Sequence, residues 1–147
     1  MEYLTNHDLF WVNQTVTGTV NTFNYFALES ATAGQYAYGE SSNVPGQAAT
    51  LLECMLEKAP FQTGNRRTAY IAMLTFLNAN GYATTVDDDE AVRLVLAAIA
   101  RTILPLDLVR TLAAPAKESL TAIPMRQLIM HECNHHAHAL TLLAEGD

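Results

Sequence analysis

Apolar residues recur along this chain at helical spacing, broken at a few well-marked places. Thr5 followed three residues later by Asp8 has the form of a capping box, and Leu9, Phe10, Val12 and Val16 come after it. A second helix is predicted from about Phe23 to Gln35, with Phe23, Phe26, Ala27 and Ala31 as its apolar positions. From Tyr36 to Gly46 the pattern fails, and Tyr38, Gly39, Ser41, Ser42, Asn43 and Pro45 read as a loop or short β-hairpin. Helical spacing returns from about Gln47 to Glu57 through Ala48, Leu51, Leu52 and Met55, and Pro60 stops it.

A strongly apolar helix is predicted from about Arg66 to Ala79, ended by Gly81. The run Asp87-Asp88-Asp89-Glu90 suits the N-terminus of another, Asp88 to Arg101, because carboxylates complement the helix dipole there. Pro105, Pro115 and Pro124 punctuate the remainder of the chain, and a last helix is expected from Met125 to Ala144. The pattern therefore predicts an all-α chain of one domain, residues 1–116, with a C-terminal helical extension, 117–147, packed on it.

Composition narrows the functions open to such a fold. The 147 residues carry 8 Lys and Arg against 15 Asp and Glu, a formal net charge of −7. That balance argues against a nucleic-acid partner, which needs a basic face to replace counterions, and against anionic lipid. The N-terminus shows neither the basic region nor the apolar run of a secretory signal, and no stretch approaches the length of a membrane span. Cys54 and Cys133 have no metal or redox spacing, so a cytoplasmic compartment is expected.

The positive charges are unevenly placed, and two of the eight fall in the chain's most informative segment, Ala59-Pro60-Phe61-Gln62-Thr63-Gly64-Asn65-Arg66-Arg67-Thr68-Ala69. No Lys or Arg precedes Lys58, and Arg66 and Arg67 are adjacent. A loop here feeds the start of a buried helix. Gly64 permits a positive φ or a close backbone approach, and Asn65 is a good N-cap. The first helical amides point outward without intrahelical acceptors. With two guanidiniums they would grip an anion, most naturally phosphate. The simpler reading of the pair is two solvated charges at a helix start.

This segment resembles the signature of the Fic/Doc (death-on-curing) family, H-x-F-x-[D/E]-[G/A]-N-[G/K]-R-T in its Doc-like form. Phe61, Gly64, Asn65, Arg67 and Thr68 match it, and Arg66 stands where Lys or Gly is found. The likeness extends over about residues 3–116, from Tyr3-Leu4-Thr5 through Phe76-Leu77-Asn78-Ala79-Asn80-Gly81-Tyr82 to the helix after Asp87. It implies a Fic/Doc-like helical bundle and transfer of AMP or phosphate from a nucleotide such as ATP, with Mg²⁺, to a protein hydroxyl. It also implies a phosphate site at Phe61, Gly64, Asn65, Arg66 and Arg67. The flap that aligns the target in family members corresponds to Tyr36–Gly46, with Tyr36 and Tyr38 as candidates to meet a partner.

Two parts of the family's machinery are replaced. Ala59 stands at the catalytic histidine, and a methyl group accepts no proton. Thr63 stands at the metal-binding acid, where a neutral hydroxyl is a weak Mg²⁺ ligand. Tyr70 stands where many Fic proteins have a second arginine. Glu53 and Glu57, one to two turns before Ala59, are the carboxylates placed to substitute as a base. The expectation is an inactive or weak transferase that keeps its nucleotide site.

The C-terminal segment carries two further patterns. His131-Glu132-Cys133-Asn134-His135 is H-E-x-x-H, and on one continuous helix His131, His135 and His138 would share a stripe able to hold a metal ion. A zincin's third ligand lies well downstream, whereas 12 residues follow His135, so a hydrolase on this motif is the weaker reading. Thr141-Leu142-Leu143-Ala144-Glu145-Gly146 fits [S/T]-x-x-x-E-[G/N], the family's inhibitory motif, and nominates Glu145. Three readings stay open: a nucleotide-binding pseudoenzyme, a non-catalytic protein of toxin–antitoxin type held by a protein target or antitoxin, and a metal-dependent hydrolase.

Overall fold

A computed structural model describes residues 1–36, 43–117 and 123–147, and the chain is mostly helical as the pattern predicts. Helix α1, Asn6–Thr17, opens on a complete capping box: the Thr5 hydroxyl accepts from the Asp8 amide, and the Asp8 carboxylate accepts from the Thr5 amide. Helix α2, Tyr25–Thr32, is capped by Asn24 and tightens into a 3₁₀ turn over Ala33–Gln35, where the spacing predicts one longer helix. Helix α3, Val44–Lys58, starts earlier than its apolar spacing suggests. Asn43 caps it, and Pro45 lies in the first turn, where no amide has an intrahelical partner to lose. The hairpin reading of Tyr36–Gly46 therefore fails at its end, since 44–46 are helical. Tyr38 lies outside the described residues.

Helix α4, Asn65–Ala79, is the axis of the molecule. Every residue from Thr68 to Leu77 is buried, as expected of a helix that is apolar on nearly all sides. Helices α1 and α3 pack around it, as does a later helix, α7, Met125–His135. A two-stranded antiparallel sheet closes one end: β1, Tyr82–Thr84, pairs with β2, Ala113–Pro115, with Ala83 opposite Ala114. Between the strands run α5, Asp88–Ile99, capped by Asp87, and α6, Pro105–Leu112. The spacing does not announce α6, because Pro105 reads as a break, whereas it sits at the helix start.

The expected last helix, Met125–Ala144, is two. Helix α7, Met125–His135, ends at His136 (φ −112°, ψ 30°), and α8, Ala137–Leu143, leaves in a new direction to pack on α5. Ile129, Cys133, Ala139 and Leu143 join the same hydrophobic core as α1 to α6. No described helix is long and apolar enough to cross a membrane.

Candidate functional site

The loop from Ala59 to Gly64 is fixed from both sides. Ala59 ends α3 in the left-handed region (φ 40°, ψ 61°), which turns the chain sharply back. Phe61 forms an isolated antiparallel bridge to Phe23, and its side chain is buried. The Pro60 carbonyl accepts from the Asn24 amide, and the Gln62 amide donates to the Thr22 carbonyl. Asn65 closes the loop: its Oδ1 accepts from the Phe61 amide at 2.9 Å and its Nδ2 donates to the Phe61 carbonyl at 2.7 Å.

The N-cap of α4 is therefore Gly64, not Asn65 as the sequence suggested. Gly64 has φ +80°, and a Cβ on it would lie 2.3 Å from the Thr17 methyl. Both reasons for a glycine hold at this position.

A buried residue of α1 braces the loop. Asn13 Nδ2 donates to the Thr63 carbonyl at 2.9 Å and to the Thr68 hydroxyl at 3.1 Å, and Asn13 Oδ1 accepts from Asn21 Nδ2 at 3.0 Å. Sequence reading passed over it. The available signal was a carboxamide between Val12 and Val16 on the inward face of α1, where an unpaired polar group would be costly.

These supports leave the first amides of α4 pointing at one spot, and an acid occupies it. Asp147 Oδ1 accepts from the Arg66 amide at 2.9 Å. Its Oδ2 accepts from the Arg67 amide at 3.1 Å and from Arg67 Nε at 2.9 Å. The Arg67 guanidinium is held in turn by the Val16 carbonyl, 3.0 Å from Nη1. The Asp147 side chain is only 3% exposed. Two backbone amides, one guanidinium and the positive end of a helix dipole thus enclose a carboxylate. Gly146 permits the approach: it has φ +107°, and a Cβ there would lie 3.1 Å from Arg66 Nη1.

An open cleft of about 770 Å³ adjoins this cradle. Its polar wall is Glu53, Glu57, Asn65, Arg66 and Arg101, and its apolar wall includes Leu56, Ile99 and Leu104. Ala59, the position matching the family's histidine, lines the same cleft. Glu53 and Glu57 reach the same cleft and are solvent-exposed. Thr63 faces away, its hydroxyl 3.2 Å from Asn21 Oδ1.

Several expectations are corrected here. Phe61 anchors the loop from the core and offers no surface to a ligand. Glu145 is exposed, and the carboxylate in the cradle belongs to Asp147. Tyr70 is fully buried, and among the described residues its hydroxyl has no hydrogen-bond partner. Tyr36, the candidate to meet a partner, packs edge-on against Tyr3 with ring centroids 4.9 Å apart and stays exposed.

The histidine stripe does not survive the break at His136. His131 and His135 stack on α7 with centroids 5.6 Å apart, but His138 belongs to α8 and bonds Asp89 at 2.9 Å. Among the described residues no group of three or more His, Cys, Asp or Glu side chains is arranged to hold a metal ion. The histidine that is structurally embedded is His136, which the sequence did not single out. Its Nδ1 lies 2.8 Å from Asp88 and its Nε2 3.2 Å from Glu132, which also accepts from Asn78 at 2.7 Å. Burial alone would push the His136 pKa down, but hydrogen bonds to Glu132 and Asp88 and their charges outweigh it and hold the pKa above its usual value.

No protein-family model, no curated protein and no solved structure matches the chain significantly.

Proposed function

We propose that this is a Fic/Doc-like protein that binds a nucleotide or another phosphate ester at the N-terminus of α4 and transfers its phosphate-containing group weakly or not at all. The observation that carries the reading is the Asp147 carboxylate, whose two oxygens stand where phosphoryl oxygens would be held by the Arg66 and Arg67 amides and the Arg67 guanidinium. A cradle that holds a carboxylate with three charge-assisted hydrogen bonds has the donors a phosphate needs. The adjoining cleft offers room for the rest of such a ligand, with Leu56, Ile99 and Leu104 as an apolar wall.

Weak chemistry is expected from the surroundings of the cradle. Ala59 presents a methyl group, and the Thr63 hydroxyl is turned toward Asn21. Loss of a positioned base alone typically costs a factor of about 10² to 10⁴ in rate. Glu53 and Glu57 are the carboxylates in the cleft that remain to take a proton.

Calorimetry with ATP, with and without Mg²⁺, tests the binding, and labelled-ATP transfer to protein tests the chemistry. Millimolar or tighter ATP binding that Arg67→Ala abolishes is expected, with transfer rising in Ala59→His/Thr63→Asp. Efficient transfer by the natural chain would refute the claim of weak catalysis. Absence of ATP binding even in Asp147→Ala would refute the nucleotide site. A second reading, a non-catalytic interaction protein of toxin–antitoxin type, draws on Phe23, Tyr25 and Phe26, the last 81% exposed, beside the cradle loop. It is favoured if ATP fails to bind.

A further inference from the structure

The cradle lies at the N-terminal end of α4. A separate cavity of about 340 Å³ lies at the other end, bounded by Leu74, Leu77 and Asn78 of α4, by β1 and by the last turn of α7. His131 and His135 line this cavity and are both exposed, so they form its rim. They stand one turn apart on α7, with ring centroids 5.6 Å apart and ring planes 7° from parallel. Two imidazole nitrogens about 2.0–2.1 Å from a shared tetrahedral ion put their ring centroids about 5 Å apart. The observed spacing therefore needs side-chain rotation alone to reach chelation. The neighbouring histidines are engaged elsewhere: among the described residues His136 bonds Asp88 and Glu132, His138 bonds Asp89, and the rings of His131 and His135 bond no carboxylate. Among the described residues lining the cavity there is no lysine or arginine to repel a cation, and Glu132, 5% exposed, adds a carboxylate to its wall.

The geometry points to a site for a divalent transition-metal ion of the zinc, nickel or copper class, held by His131 and His135 at the rim of this cavity. The donors select that class, because neutral imidazole suits these ions whereas Mg²⁺ and Ca²⁺ take oxygen ligands. Two imidazoles fill part of the shell and leave the remaining positions to water or to a small ligand in the cavity. The arrangement is not that of a hydrolase. The Glu132 carboxylate, which would have to activate a metal-bound water, is bonded to Asn78 and His136 instead. The site is independent of the nucleotide reading at the start of α4. An ion there ties the last turn of α7 to a geometry that the unfolded chain lacks, so binding stabilises the native state.

Calorimetric titration of the untagged chain with Zn²⁺ tests the site, in the natural chain and in His131→Ala, His135→Ala, His138→Ala and His7→Ala. One ion per chain is expected, with excess Mg²⁺ failing to compete. Loss of either ring of the pair should weaken binding by at least about 10-fold, the loss that even an outer-shell partner of a metal site causes. His138→Ala and His7→Ala should bind as the natural chain does. All four histidines are exposed, so these variants are expected to fold, and the second readout uses the natural chain alone. Substoichiometric Cu²⁺ should broaden the ring resonances of His131 and His135 before those of His138 and His7. No binding at millimolar Zn²⁺, binding that survives His131→Ala or His135→Ala undiminished, or broadening centred on His138 or His7 would each overturn the proposal.

Discussion

Gly64→Ala is the sharpest test of how the cradle is built. The new Cβ would have φ +80°, a left-handed conformation that costs an L-residue about 1 kcal/mol. It would also lie 2.3 Å from the Thr17 methyl, far inside van der Waals contact. That methyl cannot swing aside cheaply. Thr17 Oγ1 donates to the Asn13 carbonyl at 2.7 Å and accepts from Asn21 Nδ2 at 3.2 Å, which fixes its rotamer. Overpacking of this kind costs about 2 kcal/mol, giving about 3 kcal/mol in all. For a chain of this size that lowers Tm by about 9 °C.

The two contributions separate in a double-mutant cycle. Thr17→Ser deletes the methyl and keeps the hydroxyl, so Gly64→Ala in that background should cost about 1 kcal/mol, the left-handed term together with a small adjustment of Asn13 Nδ2, 3.1 Å from the new Cβ. The coupling between the two sites is then about 2 kcal/mol. Urea unfolding of the four proteins measures it. A coupling near zero, or a cost of Gly64→Ala below about 1 kcal/mol, would show that α4 does not start against α1 in this way.

Three further outcomes are expected. Tyr70→Phe removes a buried hydroxyl without a partner among the described residues and should raise stability by about 1 kcal/mol, read by thermal unfolding; a loss would mean that the hydroxyl is satisfied. Ala59→Gly relieves a left-handed alanine at the end of α3 and should stabilise by about 0.5 kcal/mol after the added freedom of the unfolded chain is subtracted; urea midpoints decide. His136 has a native pKa raised above its unfolded value of about 6.5, so its stabilising contribution is complete below that pH and declines as pH rises through the native value. Unfolding free energy should therefore fall from about pH 6 to about pH 8 in the natural chain and change less in His136→Gln. Cys54 and Cys133, whose thiols burial pushes up, the latter to about 11, add to the decline only near pH 9.

The elements that were legible share one property: their signals are local. The Thr5–Asp8 box, the Asp87 cap and the unbroken apolar run of α4 state their conformations within a few residues. The candidate cradle was legible for the same reason. Gly64 before two arginines at the head of an apolar helix describes a short-range geometry, and the Arg66 and Arg67 amides do converge on an anion. Helix α6 escaped because a proline at a helix start and a proline at a break look alike without the neighbours that α6 packs on.

The sequence by itself determined the helical periods, the acidic balance and the lack of a proton-accepting side chain at Ala59 and of an acid at Thr63. Tertiary structure alone decided which acid fills the cradle: the chain turns at Gly146 (φ +107°), leaving Glu145 exposed and Asp147 against the Arg66 and Arg67 amides. It also decided the break at His136, since 3.6-residue spacing runs straight through it. Chain continuity favours one helix there. Asp88 and Glu132, brought together from α5 and α7 around one buried imidazole, favour two. Contacts between residues 48 and 81 positions apart in the chain leave no imprint on local spacing, and in this protein those contacts bring the C-terminal segment onto α5 and the start of α4.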